Sequence, residues 1–487
     1  MFFNSLDFAI FFPIVFVLYW FFSKNLRQRN IFILAASYFF YGFWNWKFLS
    51  LIIISSFVDY FIGKELYKTE AKKKRKLLLY GSLLVNLGFL IYFKYFNFFI
   101  ESFVDAFNLF GKELQIETLN IILPVGISFY TFQTLSYTID IYKGKLKPTN
   151  DIVAFFTFVA FFPQLVAGPI ERASHLLPQF FKKYTFNYEQ VKSGIILMLW
   201  GLFKKMVIAD RLALLVNETY NNVGSYSGIE FIIGTIFFAF QIYCDFSGYS
   251  DIAIGISRTM GFDLMKNFER PYFSKSITEF WRRWHISLST WFRDYVYIPL
   301  GGSRNGKYRT YFNLFMVFFI SGIWHGAAMT FVIWGAIHGI IIVLEKATGK
   351  FRKKMFASIH LTKDNVFGKI FFITITFVIV CFAWIFFRAN SLSDSMVIIE
   401  QIFSFGSSGK SVVSELGLNQ VEFYASLAFI VFMLSFEWSH KKWNLSALLQ
   451  QQNIFIRWSV YTISAIAIII LGVYGSFNES EFIYFQF

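Results

Sequence analysis

The stretch FNLFMVFFISGIWHGAAMTFVIWGAIHGIII, residues 312–342, contains no Asp, Glu, Lys or Arg. A membrane-crossing helix needs roughly 20 predominantly apolar residues. The run is read as a hairpin of two short spans, 312–324 and 327–344, turning at Trp324, His325 and Gly326. Basic residues flank both ends, in 304–309 and 346–354. Positive charge collects on the cytoplasmic side, so both ends of the hairpin are expected there, with an ionisable ring deep in the bilayer.

The rest of the chain reads the same way. Of 487 residues, 56% are hydrophobic, 69 are Phe and only 15% are charged. Soluble domains carry about a quarter charged residues, and a mean hydropathy of +0.52 leaves no polar shell to cover one. Further candidate spans are 6–23, 31–44, 49–62, 77–98, 119–142, 152–167, 194–208, 231–246, 366–387, 423–438 and 458–474. Several are short, so about 11 to 13 spans are expected. The fold class is an all-α polytopic membrane protein, forming a single integral membrane domain over 1–487. The first 22 residues lack a basic leader and a small-residue cleavage site, and are read as a retained span.

Loop charges suggest a topology. Basic clusters at 24–29, 64–76, 143–147, 304–309, 346–354 and 441–442 go to the cytoplasm. Acid-leaning loops with Glu101, Asp105, Glu113 and Glu117, and with Asp394, Glu400, Glu415 and Glu422, go outside, as does the tail with Glu479 and Glu481. The middle, 204–293, fits no simple span, because it mixes apolar runs with Asp210, Arg211, Asp245, Asp251, Arg258 and Glu269. Irregular or charged chain at membrane depth must be buried in protein or line a wet cavity. That region is the expected core of a site.

The net charge of +15 does not indicate nucleic acid, because the basic residues sit in short clusters between apolar runs. Cys244 and Cys381 form no CxxC pair, so neither a metal site nor a disulfide is indicated. Asp245 and Asp251 have no nearby metal-ligand set, and no G-x-S-x-G elbow marks a soluble esterase.

Among six histidines, His325 stands out. An ionisable residue inside a membrane segment is costly and by default functional. A dry site favours the neutral imidazole, which can take a proton from a hydroxyl. The alternative is a histidine that hydrogen-bonds helices together. His338, farther along the returning segment, suits packing or support of the site. His285 lies in FWRRWHISLSTWFRDY, residues 280–295. As one continuous helix, Trp281, Trp284, His285 and Leu288 would share a face. Trp and Arg together suit an interfacial or re-entrant helix. Its readings are an anchor, a second active-site residue, or, with Arg282, Arg283 and Arg293, a wall for a phosphate-bearing donor. GGSRNGK, residues 301–307, lacks the GK[ST] ending of a Walker motif and reads as a basic turn. His175 is placed near a mouth, and His360 and His440 are solvated.

The words YCDFSGYSDIAIG (243–255), FWRRWHISLSTWFRDYVYIPLGGSRNG (280–306) and GIWHGAAMTFVIWGAIHG (322–339) resemble the membrane-bound O-acyltransferase (MBOAT) superfamily. ILPVGISFYTFQTLSYTIDIY (122–142), FFPQLVAGPIERASHLLPQF (161–180), and both chain ends are similar too. The branch resembled is the bacterial one, that of the alginate O-acetyltransferase membrane subunit. Met329 departs from it, since Trp is common there. The resemblance implies a helical bundle with re-entrant or interfacial helices around a central tunnel. It implies acyl transfer from a cytoplasmic thioester, with acetyl-CoA as donor substrate and no bound cofactor. The acceptor would be an extracytoplasmic polysaccharide such as alginate, another exopolysaccharide or peptidoglycan. A periplasmic or membrane-anchored SGNH-type partner in the bacterial inner membrane is also implied. His325 becomes the expected catalytic residue and His285 the second. Trp324, Arg282, Arg283, Arg304, Lys307 and His338 become candidates for the substrate path. A transporter or flippase for an acylated intermediate, and D-alanyl transfer to teichoic acid, are the competing readings. Against a transporter, no paired inverted halves are apparent.

The charge pattern predicts that a reporter fused after Phe487 behaves as periplasmic. Reporter activity characteristic of the cytoplasm would change the number of spans by one.

Overall fold

The computed structural model describes residues 1–108, 116, 118–119, 121–166, 168–362, 365–404, 417–443, 448–449, 451–474 and 482–483. Glu113, Glu117, Glu415, Glu479 and Glu481, used above for topology, lie outside the described residues. Within them the chain is helical throughout, without a strand. Seven segments are long and apolar enough to cross a membrane: Leu26–Lys68, Lys72–Asn108, Gly228–Thr259, Met329–Ala347, Val366–Arg388, Gln420–Trp443 and Ile454–Leu471. The chain is a multi-pass helical membrane protein.

Leu26–Lys68 holds two of the expected spans, helices Leu26–Asn45 and Leu49–Lys68. They part where Asn45 turns extended and its side chain caps the Trp46–Phe48 turn. Other spans are shorter than the hydropathy suggests. The 119–142 run becomes helical only at Ile127–Tyr142, after Pro124 and the left-handed Gly126. The 152–167 run stops at Ala160, because Phe161 leaves the helical region and Pro163 opens a new short turn, Phe162–Leu165. A proline accepts only the first turn of a helix.

The chain divides into two compact units, Met1–Met198 with Ile252–Met265, and Leu199–Asp251 with Lys266–Phe487. Three helices of the first unit are tied by a buried polar cluster. Asp59 accepts from Ser82 Oγ (2.5 Å), Asn86 Nδ2 (2.8 Å) and Thr138 Oγ1 (3.0 Å). Asn86 Oδ1 accepts in turn from Ser55 Oγ (2.6 Å) and Thr134 Oγ1 (3.1 Å). These residues sit on Leu49–Lys68, Lys72–Leu90 and Ile127–Tyr142. In hydrocarbon such bonds replace the hydrophobic drive that holds soluble helices together.

The second unit solves the same problem with charge. The helix Tyr188–Leu202 continues into a wider π-helical turn, Phe203–Ala209, which turns both Lys204 and Lys205 inward. Lys204 Nζ reaches Asp251 Oδ2 at 2.6 Å and Ser247 Oγ at 2.8 Å. Lys205 Nζ lies 2.7 Å from Asp210 and 2.8 Å from Asp245. The other Asp245 oxygen accepts the backbone N–H of Ile483 at 2.8 Å. Part of the mixed middle region is explained here: Asp210, Asp245 and Asp251 are neutralised by Lys204 and Lys205 inside the protein, whereas Glu269 is exposed and Arg211 donates to Leu471 O. Cys244 and Cys381 are buried, with Cys244 Sγ against Met433 Sδ at 3.3 Å, as expected of packing residues.

Asp59→Ala would leave three buried donors unanswered, each costing ~1–3 kcal/mol. It is expected to lower the thermal midpoint of the detergent-solubilised protein by several degrees, and Asp59→Asn by clearly less. Equal midpoints for wild type and Asp59→Ala would show the cluster to be energetically idle.

Candidate active site

The hairpin read from the sequence is formed by helices Gly306–His325 and Met329–Ala347. They cross on glycine. A Cβ placed on Gly322 would lie 2.9 Å from the Gly335 Cα, and the reverse holds equally. No side chain fits between backbones that close. The first helix ends at His325 because Gly326 is fully extended, and Ala328 then caps the second. A side chain at Gly326 would run into the Phe331 ring. His325 is thus fixed at a helix end, 3% exposed.

Its neighbours are aromatic. Ring centroids of Trp324, Trp334 and Phe387 lie 4.8, 4.9 and 5.5 Å from the His325 ring. The His285 ring is 6.5 Å away and itself fully buried. The two histidines singled out by the sequence therefore share one aromatic chamber. Phe246 packs edge-on against His285 at 4.6 Å.

The single-helix reading of residues 280–295 is corrected. Two short helices, Ile277–Arg283 and Ile286–Phe292, meet at Trp284 and His285. His285 is left-handed, with φ 43 and ψ 56, a conformation unfavourable for a residue with a Cβ. The break is held by a neighbouring segment. Glu269 N donates to Arg283 O at 2.9 Å and Ile286 N to Asn267 O at 2.8 Å. The Asn267 side chain accepts from Ser287 Oγ at 2.9 Å and donates to Ser250 Oγ at 3.0 Å. Strain held by surrounding bonds clusters where function needs a side chain aimed. Trp281, Trp284, His285 and Leu288 are buried all the same, now on two helices rather than one face.

The other candidates are placed unequally. Trp324 contacts both rings, lying 6.3 Å from His285. His338 is fully buried and takes a hydrogen bond from Trp281 Nε1 at 3.3 Å. Arg282 is exposed, Arg283 pairs with Glu279 at 2.5 Å, and exposed Arg293 pairs with Asp294 at 2.8 Å. Arg304 and Lys307 are exposed, at the opposite end of the helix that carries His325. At 1.5 Å per residue, Lys307 and His325 stand about 27 Å apart along its axis. The structure does not bring these two basic residues to the chamber.

His175 lies in the first unit. Its Nδ1 lies 2.8 Å from buried Glu171 and its Nε2 3.4 Å from exposed Asp263. The bond to Glu171 raises the His175 imidazole above its ordinary value, and burial raises the Glu171 carboxyl. His360 and His440 are exposed, as expected. Sequence reasoning missed Trp334, Phe387 and Asn267. Trp334 had a usable signal: it lies four residues before His338, on the same helix face. Phe387 and Asn267 are distant in sequence and carried none.

Residues 149–387 match the profile of "MBOAT, membrane-bound O-acyltransferase family". The chain is 40% identical to a probable alginate O-acetylase of Pseudomonas syringae pv. tomato, over 86% of this chain and 79% of that one. It is 35% identical to a peptidoglycan O-acetyltransferase of Helicobacter pylori, over 96% and 93%. It is 29% identical to a teichoic acid D-alanyltransferase of Bacillus subtilis, over 56% and 70%. With the buried histidine pair inside the matched segment, the chain belongs to the membrane-bound O-acyltransferase family and is an O-acyltransferase.

Proposed function

We propose that this protein moves an acetyl group from acetyl-CoA, presented from the cytoplasm, toward O-acetylation of an extracytoplasmic polysaccharide. The observation that carries the reading is the His325–His285 pair, 6.5 Å between ring centroids in a buried aromatic chamber. Support for acetyl and for a polymer acceptor comes from the relatives named alginate O-acetylase and peptidoglycan O-acetyltransferase, which cover most of the chain. The teichoic acid D-alanyltransferase covers less of it, at lower identity. A periplasmic or membrane-anchored SGNH-type protein completes the transfer, and the assembly resides in the bacterial inner membrane.

In this mechanism neutral His325 removes the proton of the acceptor hydroxyl. The oxygen attacks the thioester carbonyl, and the tetrahedral intermediate expels the thiolate as the C–S bond breaks. The imidazolium returns its proton to that sulfur. A buried general base of this kind contributes about 10²- to 10⁴-fold. His285 donates to the developing oxyanion, a contact worth ~3 kcal/mol. Its left-handed backbone, held by Asn267, supplies the preorganisation that makes such a donor effective.

Charged phosphates are not buried cheaply in a bilayer, so the donor's head stays at a basic mouth while its arm enters. Arg282 and Arg293 suit that mouth better than Arg304 and Lys307, because Arg282 lies on the first and Arg293 directly follows the second of the two helices that meet at His285.

His325→Ala and His325→Asn are expected to lose at least 10²-fold in acyl transfer while inserted protein stays near wild type. Wild-type acetylation in either variant removes His325 from the mechanism. His285→Ala should lose about 10²-fold per folded molecule; a loss that only tracks abundance would make His285 an anchor. Arg282→Ala with Arg293→Ala should raise KM for acetyl-CoA several-fold with kcat little changed, since ground and transition states lose the contact alike. The effect should shrink in high salt. A larger KM rise in Arg304→Ala with Lys307→Ala would move the mouth to the far end of the hairpin.

A further inference from the structure

His338 is on the returning helix of the hairpin, 13 positions beyond His325 in the chain. Trp281 Nε1 lies 3.3 Å from its Nδ1. An indole nitrogen only donates. His338 Nδ1 is therefore an acceptor, and the neutral ring carries its one proton on Nε2. That N–H is fully buried and has no partner among the described residues. One helical turn earlier, Trp334 is also fully buried, and its Nε1–H has no partner among the described residues either. The two rings are 5.0 Å apart, and Trp334 is 4.9 Å from His325.

Two adjacent buried donors without acceptors are unusual, because each costs ~1–3 kcal/mol if nothing answers it. The large majority of buried polar groups in folded proteins are paired. Both donors lie along one helix face that begins beside His325. An acceptor that fits them is a chain of carbonyl oxygens passing the catalytic ring. A sugar hydroxyl oxygen also accepts, but its own proton would then need an acceptor that neither of these two donors supplies.

We propose that His338 Nε2–H, with Trp334 Nε1–H beside it, binds amide carbonyl oxygens of the donor's pantetheine arm and so sets the thioester against His325. The inference rests on the thioester-donor reading given above. His338 is then a positioning residue, separated from the reacting carbon by Trp334. Its contact forms with the bound donor and persists through the reaction, so its loss falls on KM rather than kcat. The bond to Trp281 fixes the tautomer that makes Nε2 the donor, which gives Trp281 a share in donor binding from behind the ring.

The test uses the full-length protein in membranes or detergent, and follows thiol release from acetyl-CoA and from S-acetylpantetheine, which lacks the nucleotide. Amounts are normalised to folded protein by thermal unfolding. Asn at 338 keeps a polar atom near Nδ1 for Trp281 but loses the outer donor. Gln keeps a donor near Nε2 but gives up the inner acceptor. His338→Asn is expected to raise KM roughly tenfold for both thioesters, the equivalent of one buried hydrogen bond, with kcat within about twofold. His338→Gln is expected to recover most of that loss, and Trp281→Phe to show a partial KM increase. An unchanged KM in His338→Asn overturns the inference, as does the pattern of helix glue, in which Gln and Trp281→Phe lose folded protein and Asn is normal. A KM rise for acetyl-CoA alone also overturns it, because the contact would then be to the nucleotide. Absence of thiol release by the wild type would instead sink the donor reading itself, and this inference with it.

Discussion

A polar group inside this protein is costly unless another group answers it, because hydrocarbon offers no partner. The constraint is visible in both units. Asp59 is surrounded by the hydroxyls of Ser82 and Thr138 and the amide of Asn86. Lys205 is held between Asp210 and Asp245, and Lys204 against Asp251. Removing one member of a buried ion pair strands a charge at a cost of ~3–5 kcal/mol. Such clusters fix which helix faces meet and leave little room for alternative packings. The chamber around His325 and His285 is the contrast: its walls are rings, and its polar atoms are few and concentrated.

Two local devices build that chamber. The glycine crossing of Gly322 and Gly335 lets the hairpin close until Trp334 lies against the His325 ring. The broken helix at Trp284 and His285, pinned by Asn267, turns the second histidine to face the first. Neither device contributes a reacting atom. Both hold the two histidine rings in one geometry, and preorganisation of that kind is where much of an enzyme's rate enhancement originates. The aromatic walls leave both imidazoles buried, 3% exposed at His325 and 0% at His285.

Much of this was legible in the sequence, for physical reasons that can be named. An ionisable ring in an otherwise uncharged run is conspicuous, so His325 and its glycine neighbours stood out without any coordinates. The residues alone leave His285 between an anchor and a site residue, and motif resemblance favours the second. The spans read less faithfully, because hydropathy is blind to backbone: Gly126, Phe161 and the π-helical turn at Phe203–Ala209 shorten or widen helices that look continuous by composition. The helix break at His285 was invisible for the same reason, since FWRRWHISLSTWF carries neither Gly nor Pro and the conformation is imposed by Asn267 and Glu269 from outside. Pairings such as Lys205 with Asp245 depend on which faces meet, and residue order alone does not state that. Arg304 and Lys307 read as a basic turn on the donor's path, and the rise of the helix Gly306–His325 sets them about 27 Å from the chamber, a separation that residue order alone does not state.

The central claim is that His325 and His285 act on one reaction in one chamber. A double-substitution cycle tests it most directly, with single-turnover transfer from radiolabelled acetyl-CoA measured for wild type, His325→Ala, His285→Ala and the double variant, each normalised to folded protein. Groups that act as a unit are strongly non-additive. The account predicts that the double variant is little slower than His325→Ala alone. Losses that multiply, so that each substitution costs the same factor with or without the other, would contradict it and make the two histidines independent.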